Sequence, residues 1–165
     1  MKTFYVTTMA VVFLLLCSNL AQSQTTQTKL NQVELMKQFI GTWEVAAGKD
    51  TNVIAEIKSY GTGLENYWKY VTKEKIVSEG KQLWGYDKKI DKFVYVNLGK
   101  GKDIEIYALW FISNKKCIDI PYSDIANTDK ATFKGEIEFK SQDAWSETNF
   151  ENGKQVGIEN FVRVK

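Results

Sequence analysis

Four carboxylates, Glu79, Asp119, Glu136 and Glu138, fall inside extended β-branched runs of this 165-residue chain. Two acids facing one another across a cleft are the minimum for acid–base chemistry, so these residues are weighed first as catalysts. Their setting argues against it. Glu136 and Glu138 alternate with Gly135, Ile137 and Phe139, the pattern of a strand with one dry and one wet face. Charged residues on strands normally stand in water, and all four are expected on a solvated outer face. The chain has no histidine. That removes Ser-His-Asp and Cys-His catalysis, histidine-ligated haem and the usual zinc sites. No phosphate loop or EF-hand loop of the required spacing occurs, and Gly61-Thr62-Gly63 reads as a turn. Cys117 reads as a small buried apolar residue rather than a reactive thiol. The expectation is a non-catalytic protein with no metal and no cofactor.

Binding residues are easier to place. In Leu64–Tyr70 the set Leu64, Asn66, Trp68, Tyr70 alternates with the more charged set Glu65, Tyr67, Lys69. In Ile76–Tyr86 the uncharged set Ile76, Ser78, Gly80, Gln82, Trp84, Tyr86 alternates with Val77, Glu79, Lys81, Leu83. The uncharged sets suit an interior. Trp68, Gln82, Trp84, Tyr86, Trp110 and Phe133 are therefore expected to line an aromatic lumen with a few polar handles, fit for a small, mainly apolar ligand. The same rings could simply fill a core. The volume of the interior separates the two readings.

The elements that must carry these residues are short. Leu30, Val33, Met36 and Phe39-Ile40 recur near a helical period, which predicts one helix from about Asn31 to Gln38. From Thr42 onward, β-branched and aromatic runs alternate with turn residues. The predicted strands are Thr42–Ala46, Val53–Tyr60, Leu64–Thr72, Ile76–Tyr86, Phe93–Leu98, Ile104–Ile112, Lys116–Tyr122, Ala131–Lys140, Ala144–Phe150 and Gln155–Val164. Asn152-Gly153 is the sharpest hairpin signal. Strands joined by short turns make an antiparallel meander. A long meander hides its edges best by closing into an up-and-down barrel, with a two-sheet sandwich as the alternative. Ile104–Ile112 is apolar on both faces, so it is expected to have an extra apolar neighbour, either the helix or a partner chain.

The start of the chain reads as an export signal. Lys2, the apolar run Met9–Leu16 and the small residues Ala21 and Ser23 predict cleavage after Ser23. The run is shorter than a membrane-spanning helix requires. Leu16 before Cys17 argues against a lipidated cysteine. The expected organisation is a signal peptide (1–23), a disordered polar segment (24–30) and one barrel domain (31–165), delivered to the periplasm or the medium. Net charge is +2 without a basic block, which disfavours nucleic acid as a partner. No later segment is long and apolar enough to span a bilayer.

At Phe39-Ile40-Gly41-Thr42-Trp43-Glu44 the sequence turns specific. A short helix followed by Gly-x-Trp entering a first strand resembles the calycin superfamily of lipocalins, fatty-acid-binding proteins and bacterial relatives. Gln82–Lys89 and Asp91–Val94 resemble, more narrowly, small secreted bacterial lipocalin-like proteins. The resemblance implies a barrel of about 8–10 strands with one N-terminal helix. It also implies that Arg163, on the last strand, lies across the Trp43 ring as a latch. It departs from the family in lacking an internal disulfide, a helical pair after the first strand and the two-arginine carboxylate clamp, since Arg163 is the sole arginine.

Overall fold

The computed structural model describes residues 29–164. The expected signal peptide and the polar stretch up to Thr28 lie outside them. Leu30, expected within the disordered segment, instead packs against the core.

Asn31 accepts a hydrogen bond from the Glu34 N–H at 3.2 Å and so caps α1, Gln32–Met36. A 3-10 turn, Lys37–Phe39, continues it. Ten strands follow: β1 (Gly41–Gly48), β2 (Thr51–Tyr60), β3 (Gly63–Thr72), β4 (Lys75–Asp87), β5 (Lys92–Gly99), β6 (Ile104–Phe111), β7 (Lys116–Pro121), β8 (Phe133–Ser141), β9 (Ala144–Glu151) and β10 (Lys154–Arg163). Each is antiparallel to its sequence neighbours, and β10 pairs back onto β1 to close the barrel. The meander, the closure and, among the described residues, the one short α-helix follow the expectation. Asn152 and Gly153, both at positive φ, make the β9–β10 turn.

The strand β7 ends earlier than its apolar run, at Pro121, which lacks the N–H a continuing ladder needs. Two 3-10 turns, Tyr122–Asp124 and Thr128–Lys130, then carry the chain to β8. Asp124 Oδ2 accepts from both the N–H and the hydroxyl of Thr132 at 2.8 Å and fixes this connection.

One end of the barrel is plugged. Gln32 on α1 is buried and exchanges two hydrogen bonds with the Phe111 backbone, donating to its carbonyl at 3.0 Å and accepting from its N–H at 2.7 Å. The helix is thereby tied to the end of β6. Phe39 drops from the 3-10 turn into the barrel, edge-on to Trp84, Phe139 and Trp145 at 5.4, 4.8 and 5.6 Å between ring centres. Trp43, fully buried, donates from Nε1 to the Phe39 carbonyl at 2.7 Å. The Arg163 guanidinium lies 4.1 Å from the Trp43 ring centre, and Arg163 is the direct register partner of Trp43 on β10. It also donates to the Ile40 carbonyl at 2.7 Å and to the Gln142 carbonyl at 3.0 Å. Gly41 makes this possible. Its φ is +143, and a Cβ there would stand 1.9 Å from Arg163 Nη1.

Strand β6 has both edges paired inside the closed sheet. Its inner face carries Tyr107, Leu109 and Phe111, all in or against the core. Its outer face carries Ile104, Ile106, Ala108 and Trp110. The double apolar pattern thus has two causes: a barrel core on one side, and on the other a surface partly covered near Ala108 and Ile120, both fully buried.

Candidate functional site

Above the Phe39 plug the barrel is hollow. The cavity measures about 320 Å³ and is walled by residues from nearly every strand. Inward-pointing side chains alternate along each strand, so the cavity is built by parity: Val53, Ala55 and Ile57 from β2; Asn66, Trp68 and Tyr70 from β3; Gln82 and Trp84 from β4; Tyr95 and Asn97 from β5.

Trp68, Gln82, Trp84 and Phe133 line this cavity. Tyr86 shares their inward parity but lies below it. Its ring rests on Phe93 at 5.4 Å and its hydroxyl donates to Asp91, which also pairs with Lys29 at 3.2 Å. Trp110 corrects the expectation. It alternates with Leu109 and Phe111 and therefore stands on the outside, with Lys92 Nζ 3.7 Å from its ring centre. Both faces of β6 are apolar, so composition carried no sign of which one turned inward.

The carboxylates bring the larger correction. Glu136 and Glu138 stand outside, paired with Lys134 and with Lys116 and Lys140. Glu79 is also outside, accepting from the Tyr67 hydroxyl beside Lys100. Asp119 is not. It keeps only 5% of its surface and points into the barrel in phase with Cys117. Two further acids, Glu147 on β9 and Glu159 on β10, join it on the cavity wall and are register partners of one another. Sequence reasoning missed both. The signal is their parity with Trp145 and Phe161, which places them on the inward face of β9 and β10.

The backbone makes room for this arrangement at Gly135 on β8, the register partner of Asp119. A Cβ on Gly135 would stand 2.5 Å from Glu147 Oε1 and 3.4 Å from the Asp119 Cβ. Glu147 therefore leans across a strand that has no side chain, toward Asp119. Burial pushes Asp119 up to about 7; the Tyr95 hydroxyl, donating to its Oδ2 at 2.6 Å, pulls it partly back. The Ile120 N–H also favours its charged form, without a bond of normal geometry to Oδ1, which has no partner. Burial, then the charges of Asp119 and Glu159, push Glu147 up to about 8. Burial raises Glu159 as well. Tyr107, desolvated beside Glu105 and Asp119, is pushed up to about 12.

The remaining wall is aromatic. Tyr95 stacks on Trp84 at 5.1 Å and on Tyr107 at 5.2 Å, and Tyr107 meets the edge of Phe133 at 6.3 Å. Trp68 donates to Asn97 Oδ1 at 2.9 Å, and Lys102, from the β5–β6 turn, stands 5.9 Å from the Trp68 ring centre. Among the described residues, four buried side-chain polar atoms have no partner: Asn66 Oδ1, Asp119 Oδ1, Asn149 Oδ1 and Trp145 Nε1. All four belong to residues on the cavity wall. Among the described residues, no cluster of acids or cysteine is arranged to hold a metal ion. No family model matches the chain, and no curated protein matches it.

Proposed function

We propose that this protein is an exported, non-catalytic, lipocalin-like carrier that holds one small molecule inside its barrel. The observation that carries this reading is the coincidence of unpartnered polar atoms with a hollow interior. A buried donor or acceptor left without a partner costs about 1–3 kcal/mol, and such atoms are rare in filled cores. Here Asn66, Asp119, Asn149 and Trp145 each carry one, and all four residues belong to the wall of the same cavity. A cavity of about 320 Å³ falls within the size range of small-molecule sites. The Trp84–Tyr95–Tyr107 stack offers an apolar body something to lie against. Export rests on the charged, apolar and small-residue pattern of residues 1–23.

Trp68, Trp84 and Trp145 border the cavity, so an occupant is expected to change tryptophan emission. Native mass spectrometry and fluorescence titration across a lipid and metabolite panel should find a binder. Ala55→Trp, which fills the lumen from β2, should abolish it. A panel in which no compound binds wild type, or in which Ala55→Trp binds as well, refutes the carrier reading.

The outer surface favours a second reading, a protein-interaction module. Leu83, Leu98, Ile104 and Ile106 are exposed on the adjoining strands β4, β5 and β6, and contiguous apolar patches of this kind mark contact surfaces. With both β6 edges paired, a partner would have to cover the face rather than add a strand. On this reading sedimentation shows self-association that Ile104→Lys removes; a wild-type monomer at high concentration excludes the homo-oligomer.

A further inference from the structure

We propose that the cavity takes a small organic cation, a primary or secondary amine on an aromatic or aliphatic body, with its ammonium held by the Asp119 and Glu147 carboxylates. This rests on the carrier reading and names the class of ligand that the site admits.

The first argument is the inventory of hydrogen-bonding atoms. Trp84 Nε1 donates to Gln82 Oε1 at 3.0 Å, which fixes which end of the Gln82 amide is oxygen. Asn66 must then present Nδ2 to that same oxygen, as it does at 3.0 Å, and its own oxygen is left as a buried acceptor without a partner, on a residue of the cavity wall. Asn149 Oδ1 and Asp119 Oδ1 are also acceptors without partners; of these four buried atoms, Trp145 Nε1 is the one donor. A ligand that satisfies this wall brings mainly donors. An ammonium group has three donors and no acceptor.

The second argument is charge. Asp119, Glu147 and Glu159 stand on the wall against one basic group, Lys102, near the β5–β6 turn. Glu147 and Glu159 are direct cross-strand partners, and Glu147 leans over Gly135 toward Asp119. Like charges so placed repel. A cation between them removes that repulsion and makes charge-assisted hydrogen bonds. The acids are not arranged for a metal ion among the described residues, while the tyrosine–tryptophan stack beside them suits an organic body.

Binding should be linked to protons. The groups facing the acid pair are Tyr70 from β3, Tyr95 from β5, Tyr107 from β6, Cys117 from β7, Glu159 from β10 and Lys102 from the β5–β6 turn. The tyrosines and Cys117 are all raised by burial and stay neutral through the neutral range. Asp119, Glu147 and Glu159 are the groups left to release protons as an ammonium arrives.

The test is calorimetric and fluorescence titration of the full barrel with 2-phenylethylamine, 2-phenylethanol and 3-phenylpropionate. The amine should bind roughly tenfold to a hundredfold more tightly than the alcohol, and the propionate least. Amine affinity should rise from pH 5.5 to 8, with heats that depend on buffer ionisation. Glu147→Gln and Asp119→Asn, which keep the side-chain shape, should weaken amine binding far more than alcohol binding and so remove the amine's advantage. If either variant fails to fold, the wild-type ranking and its pH dependence decide alone. Equal binding of amine and alcohol, preference for the propionate, or a wider panel in which only neutral or anionic compounds bind overturns the cation and leaves the carrier standing. No binding by any of these compounds or by that panel overturns both.

Discussion

Trp43→Ala should lower the melting temperature of the barrel by some 10–20 °C, and by more than Trp145→Ala does. Truncating a buried aromatic costs about 3–5 kcal/mol, against a total stability of roughly 5–15 kcal/mol; at this chain length each kcal/mol moves the midpoint by about 2–4 °C. Both tryptophans are buried, at 0% and 6% exposure, and their rings meet edge to face at 6.0 Å. They differ in what else they hold. Trp43 satisfies the Phe39 carbonyl and carries the Arg163 guanidinium on its ring, the latter contributing about 0.5–2 kcal/mol. Its loss frees the plug and the β1–β10 seam together. Trp145 stacks on Phe161 at 3.7 Å, but its Nε1 has no partner and it borders a space that is already open. Trp145→Phe should therefore be nearly silent, whereas Trp43→Phe still loses the bond to Phe39. Equal melting temperatures for the two alanine variants would refute the latch.

The unliganded barrel should lose stability between pH 5 and pH 8.5. Asp119 and Glu147 have folded values of about 7 and about 8, against about 4 for free carboxyls. Through that window the folded state keeps protons that the unfolded chain has released, so stability falls as pH rises and levels off above the folded values. For Asp119 alone the shift corresponds to about 4 kcal/mol as an upper bound. Glu79, Asp91, Asp124 and Glu138 act with the opposite sign, since their lowered values add stability that is lost only in acid. They are only half-buried, within reach of solvent screening, and add little. Urea midpoints at the two pH values measure the difference. In the double variant Asp119→Asn, Glu147→Gln the slope should largely vanish, and a wild type equally stable at both pH values would show that the acids are not buried as described.

The fold was far more legible than the site. Period-two alternation and turn residues are local signals, and they located each strand to within two or three residues, as at Lys116–Pro121 against the expected Lys116–Tyr122. The polar set in Phe133–Ser141 reads outward because Lys134, Glu136 and Glu138 agree among themselves. The site is written differently. Asp119 sits among Cys117, Ile118 and Ile120, where every neighbour is apolar and parity carries no contrast. Glu147 and Glu159 share faces with Trp145 and Phe161, so their inward position was readable only by letting the aromatic outvote the charge. Only the strand register sets Asp119 on β7 opposite Gly135 and Glu147 on β9 within reach of it. Gly135 itself is informative for what it lacks, which a sequence pattern does not display.

The seam between β1 and β10 also dictates when the barrel can finish folding. Arg163 reaches the Ile40 carbonyl across 123 positions of sequence. Such a contact must pay nearly the whole loop-closure entropy of the chain before it returns anything. Topologies of this kind assemble on the millisecond-to-second scale rather than in microseconds. Until β10 arrives, β1 presents an open edge to any other strand. A chain synthesised or threaded through a pore from its N-terminus exposes that edge longest. The step most vulnerable to aggregation is thus the last one, and a chaperone that shields β1 would cover the edge that stays open longest.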